Sequence, residues 1–187
     1  MTKTRPSTLR DTLRTKLRPA HDTLDAILSG FDLRTPAGAV AFMRTQFWGF
    51  AGIPFDTSPT RAVASDLARR AQDDLLKWTG DAAAPSATPL SELHPVAAAY
   101  VVGGARIGNR ILRQRWNEAQ VVNGLGASAF FDAPDHDHIW QFFLAEAAKH
   151  ESTSSVAQDI LRDAAAIFNN FTVCAEEART LMDRYYD

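Results

Sequence analysis

The residue best suited to chemistry in this sequence is His21, because of its neighbours along the chain. It follows Leu17 by four positions and precedes Leu24 and Leu28 by three and seven, so on a helix it points toward the core with the leucines. A neutral imidazole in apolar surroundings serves one of two ends. It is a core histidine satisfied by a backbone carbonyl, or it is a ligand to a metal ion or to haem iron. Arg14 and Arg18 lie seven and three residues before it, on neighbouring turns. Cations there would hold a ligand's carboxylates at a pocket mouth, and they suit a solvated helix face equally well.

The second unusual feature is "YVVGGARIGNRIL", residues 100–112, in a segment that otherwise reads as a buried helix. Glycine in a helix interior costs about 1 kcal/mol relative to alanine. Gly103, Gly104 and Gly108 therefore need a reason. A backbone without Cβ can approach a flat ligand, and paired glycines permit a kink. A close helix–helix crossing uses the same property. The spacing alone does not choose between the two.

Helices must position these residues. The first runs from about Thr8, an N-cap with Asp11 three residues on, to about Leu28, with a kink or restart expected at Pro19. Ser29, Gly30 and Asp32 make a turn, and a second helix covers roughly Pro36 to Phe50. Ser58 and Pro59 cap a third, which carries Val63, Leu67, Ala71, Leu75 and Trp78. After the loop "DAAAPSATPLSELH", Pro95 opens a helix through the glycines to about Trp116, ended by "NGLG". A shorter helix is expected from about Pro134 to Ala148. The last carries one apolar stripe from Val156 through Ile160, Ile167 and Phe171 to Tyr185. No segment alternates with period two long enough for a sheet, and no internal repeat is visible. The expected fold is a single all-α domain of six to eight helices over residues 1–187.

Composition bounds the function classes. A chain of 187 residues with 45% hydrophobic and 22% charged content is long enough for one well-cored domain. The net charge of -2 gives no global case for nucleic acid or a membrane surface. A single cysteine, Cys174, excludes an intramolecular disulfide and fits a reducing cytoplasm, the expected location. No apolar run approaches the ~20 residues that span a bilayer. Residues 1–19 hold Lys3, Arg5, Arg10, Arg14, Lys16 and Arg18 against Asp11, a composition compatible with a transit peptide. Leu9, Leu13 and Leu17 nevertheless continue in register into Leu24 and Leu28, which makes the segment part of the first helix.

Other candidates read as structural. "DHDH" at 135–138 sits at a helix start, where acids are ordinary. His94 is placed to cap, His150 lies at a helix end, and Cys174, Trp48, Trp140, Phe143, Phe168 and Phe171 suit the core. Some of these aromatics could instead line a porphyrin pocket. Arg110, Arg113 and Arg115 read as a solvated helix face. There is no phosphate loop and no nucleophile–base motif.

Two stretches together carry a resemblance. "LRTKLRPAHDTLDAILSGFDL" is similar to the histidine-bearing first helix of the haem oxygenase (heme oxygenase-like) family, in particular its bacterial biliverdin-producing branch. "AAYVVGGARIGNRIL" is similar to that family's distal helix, whose usual form is close to YVLEGSxLGGxxL. Weaker echoes are "AFFDAP…WQFF" and "AAAIFNNF". The resemblance implies a multi-helix bundle with a haem pocket between the first helix and a glycine-kinked distal helix. It places His21 as the proximal iron ligand, Gly104 and Gly108 over the haem face, and Arg14 and Arg18 near the propionates. It implies haem as substrate and cofactor, with O2 and an external electron donor, a reductase or ferredoxin. The products would be biliverdin, carbon monoxide and ferrous iron, with a bilin-using photoreceptor among the conceivable partners. Asn109 stands where the family usually has a second glycine, putting an amide near the distal face. Gly103 replaces a common glutamate, Ala105 a serine or aspartate, and Pro19 is unusual. A non-catalytic haem- or bilin-binding protein of the same fold, and an all-α interaction protein, are the rival expectations.

Overall fold

The computed structural model describes residues 8–54, 59–84 and 90–186. Ser58, expected as a cap, lies outside them. The described residues form seven helices and no strand beyond one isolated bridge, Thr8 to Glu151. The all-α expectation holds at that level.

From Thr8 onward the basic N-terminal segment folds as expected from its leucines, while Lys3 and Arg5 lie outside the described residues. Thr8 caps α1 (Leu9–Lys16), its Oγ accepting from the Asp11 amide at 3.2 Å and donating to the Asp11 carboxylate at 2.8 Å. That hydrogen bond holds the Asp11 carboxyl below its usual range. Leu9, Leu13 and Leu17 are buried. Leu17 is also the joint with α2 (Arg18–Ser29). Its amide donates to Leu13 and its carbonyl accepts from His21, both at 2.9 Å. Pro19 thus falls in a first turn, where its missing N–H breaks no helical bond.

The centre of the bundle is α3 (Pro36–Ala51), buried over nearly all its length. It packs between α4 (Pro59–Thr79) and α7 (Ser155–Tyr186). Gly49 permits the α3–α7 approach, since a Cβ there would overlap the Phe171 ring. Asn170 of α7 ties the crossing by donating to the Gly49 carbonyl at 3.3 Å. Trp48, Phe42, Phe50, Phe143 and Trp116 supply the core, with Phe131 stacked between Phe42 and Trp116 at 5.7 and 5.1 Å. Cys174 is fully buried, and burial pushes its thiol up to about 11.

Two boundaries differ from the sequence reading. The glycine-bearing helix α5 (Pro95–Asn123) runs two turns past Trp116. Residues 117–122 show almost no apolar stripe, with Val121 82% and Val122 72% exposed. The helix ends only at Gly124, whose φ of 71° a side chain would oppose. Conversely, α6 (Asp137–Ala147) starts three residues after Pro134. The preceding turn is pinned elsewhere: the buried Asp74 carboxylate on α4 accepts from Ser128 Oγ and from the amides of Ala129 and Phe130 at 2.5–3.0 Å. His94 caps α5 as expected, its Nδ1 accepting from the Val96 amide at 3.2 Å.

Candidate functional site

His21 and the glycines meet across one cavity. α2 contributes His21, Leu24, Asp25 and Leu28 to one wall, and α5 contributes Val101, Gly104, Ala105, Gly108, Asn109 and Leu112 to the other. Aromatics close the inner end, with Phe50 of α3, Phe130, and Phe171 of α7, while Phe168 of α7 lies beside His21. The volume is about 260 Å³, and five residues (His21, Asp25, Leu28, Gly108 and Leu112) are shared with an outer cleft of about 960 Å³. Ligand sites fall in the range of about 300–1,000 Å³; the inner cavity alone lies just below it and the adjoining cleft within it.

The expectation that His21 points into the packed core needs correction. Its side chain is 56% exposed and stands at the cavity mouth. Leu17 and Leu24 are buried where α2 packs on α7, whereas His21 stands at the edge of that stripe, on the cavity mouth. The imidazole sits edge-on to the Phe168 ring at 5.8 Å, with its Nδ1 3.2 Å from the Asp25 carboxylate. A carboxylate beside one ring nitrogen is the kind of support that metal-ligating histidines commonly have. Sequence reasoning passed over Asp25, although its spacing of four from His21 puts the two on one helix face.

The three glycines separate into two roles. A Cβ on Gly103 would press on the Trp140 backbone at 3.2 Å, so this glycine serves the α5–α6 crossing. A Cβ on Gly104 would meet only Trp140 at 3.9 Å, and one on Gly108 nothing within 4 Å. Packing demands neither. They leave backbone facing His21 across the cavity.

Asn109 and Arg106, both 2% exposed, form the polar edge of this wall. With its oxygen toward the guanidinium, the Asn109 amide accepts from Arg106 at 3.1 and 3.3 Å. The opposite orientation sets NH2 against guanidinium for a long 3.4 Å bond to the Phe131 carbonyl, and is disfavoured. Arg106 also donates to the carbonyls of Ala133 and Pro134 at 2.8 and 3.1 Å. Burial draws its pKa down to about 10. Sequence reasoning passed over Arg106 and Asp74, because their partners lie 27 and more residues away. Between them they set the 128–134 turn that delivers Phe130 to the cavity.

Arg14 and Arg18 line neither the cavity nor the cleft. They are 76% and 79% exposed, at 3.6 Å from Asp11 and 3.5 Å from Asp22. Arg14 reaches the site only electrostatically, favouring the ionised form of Tyr100, whose phenol burial nevertheless pushes up. Arg110 and Arg113, expected on a solvated face, tie α5 to the "DHDH" acids. Arg110 lies 2.8 Å from Asp137 and 3.3 Å from Asp135, and Arg113 lies 3.8 Å from Asp135. No cluster of three or more His, Cys, Asp or Glu suited to a metal ion occurs among the described residues. No helix among them is long and apolar enough to cross a membrane.

An iron held inside a planar macrocycle needs only one protein ligand, and here the single histidine faces side-chain-free backbone. The residues therefore fit haem better than a bare metal ion. The comparisons add no relative: no protein-family model matches the chain, and neither a curated protein nor a solved structure does so.

Proposed function

We propose that this chain binds haem between α2 and α5 and cleaves it oxidatively to biliverdin, carbon monoxide and ferrous iron. The observation that carries the reading is His21, backed by Asp25, opposite the open backbone of Gly104 and Gly108. Haem would supply the iron that activates O2 and would itself be the molecule attacked. Electrons would come from an external reductase or ferredoxin.

The chain's own residues do the rest. His21 would hold the iron, with the Asp25 carboxylate beside its ring. Gly104 and Gly108 leave the α5 backbone open to the ligand, and Phe50, Phe130 and Phe171 would keep water from the inner end. The distal wall carries no carboxylate, so protons would enter through water or the Tyr100 hydroxyl at the cavity edge. That same lack favours the second reading, a haem- or bilin-binding protein without turnover.

Haemin titration followed by reduction under air separates the readings, with catalase present to remove free peroxide. A saturable Soret band that His21→Ala weakens, replaced on reduction by a red-absorbing bilin band, is the expected result. A stable His21-dependent Soret band without bilin would leave only the binding protein. Absence of saturable binding would overturn both.

A further inference from the structure

The expected anchors for a ligand's carboxylates, Arg14 and Arg18, stand outside the cavity. Past Gly108 and Leu112 the cavity adjoins the outer cleft between the 29–34 turn and the second half of α5. Two cations line that cleft. Arg34 is held by Asp32 through two 2.9 Å hydrogen bonds. Arg115 makes no ion pair among the described residues and is exposed. The charged groups facing it are Asp32 and Arg34 from the turn, Asp25 from α2, and Glu118 on its own helix. Asp32 is committed to Arg34, and Asp25 stands against His21.

Besides these charged groups the cleft is lined by Leu28, Phe31, Leu33, Phe42 and Leu112, with Ile111 and Val122 exposed on its rim at 62% and 72%. Gly108, Ile111, Arg115 and Val122 succeed one another at three, four and seven residues along one side of α5. The backbone that faces His21 therefore continues outward into an apolar strip bearing one uncommitted guanidinium. Such a strip suits a flat hydrophobic body whose acidic edge points to water.

We infer that Arg115 anchors the carboxylate edge of the bound macrocycle, so that the ligand enters with its acidic side toward the outer cleft and not toward Arg14 and Arg18. The inference rests on the haem reading and adds an orientation to it. Arg115 is an orienting residue. By fixing which edge is outermost, it fixes which meso edge lies innermost, against Phe50, Phe130 and Phe171.

The test compares haemin with its dimethyl ester, which has the same ring and iron but no carboxylate charge. Wild-type protein is expected to bind the free acid about tenfold more tightly, the size of one charge-assisted contact. Arg115→Gln should abolish that preference while leaving ester affinity unchanged, Arg115→Lys should retain part of it, and Arg14→Gln should retain all of it. Loss of the preference in Arg14→Gln with retention in Arg115→Gln would overturn the inference, as would a wild type that does not distinguish acid from ester. Failure of both ligands to bind wild type sinks the haem reading itself and is thereby distinguishable.

Discussion

At the residue scale, the informative contrast lies among three glycines of one helix. If Gly108 served packing, a methyl group would disturb it; it would meet nothing within 4 Å. Gly108→Ala should therefore raise the unfolding free energy of ligand-free protein by about 0.5–1 kcal/mol, the helix-propensity difference, while weakening haemin binding. Gly103→Ala should do the reverse, lowering Tm through its 3.2 Å approach to Trp140. Thermal melts and haemin titrations of the two variants read both effects. A destabilised Gly108→Ala protein would remove the argument that this position is kept open for a ligand. The sequence revealed these positions as costly without saying which cost served what. His21 was legible as a candidate, yet its leucine neighbours suggested burial, because a helical stripe does not reveal which of its positions stands at the edge.

At the scale of elements, helix existence was readable and helix ends were less so. Pro19 and Pro36 marked starts correctly because a fixed φ and a missing N–H act locally. The end of α5 was misplaced because the apolar pattern fades near Trp116 while the backbone continues to a left-handed glycine. The start of α6 was misplaced because Asp74, more than fifty residues earlier, pulls the intervening turn onto α4. Asp74→Ala would leave the buried Ser128 Oγ, the buried Phe130 amide and the half-buried Ala129 amide without their acceptor. It should cost about 3 kcal/mol or more, measurable by urea titration. The α5 cap carries a pH dependence. His94 accepts an amide proton through Nδ1, and burial, then the nearby His150, lower its pKa from 6.5, against smaller opposing effects of Asp163 and Asp159. A base with a lowered folded pKa contributes stability that is complete above its unfolded value and is lost as pH falls through the folded one. Tm should thus fall on acidification from about pH 7 to pH 5. His94→Asn, which caps without titrating, should flatten that slope. An unchanged slope would assign the acid sensitivity elsewhere, with His136, also lowered by burial, the next residue to replace.

At the scale of the whole molecule, the cavity is lined by five helices, α2, α3, α5, α6 and α7, from both halves of the chain, so its integrity is tied to that of the bundle. Cys174 reports on both. It is fully buried on α7 with its thiol raised to about 11, so neutral-pH alkylation should proceed only through opening of the bundle. Haemin at a hundredfold excess over its Kd should slow labelling by up to about two orders of magnitude where opening releases the ligand. Equal labelling rates with and without haemin would mean that α7 opens independently of the site.

The packing of α7 has a temporal side. This helix of 32 residues supplies Phe168 beside His21 and Phe171 at the inner end of the cavity, and its crossing with α3 closes over Gly49. It is made after the other six. While the ribosome is still producing it, α2 and α5 present their cavity-facing residues to water with no floor between them. The site is therefore completed only once α7 has joined the six helices made before it.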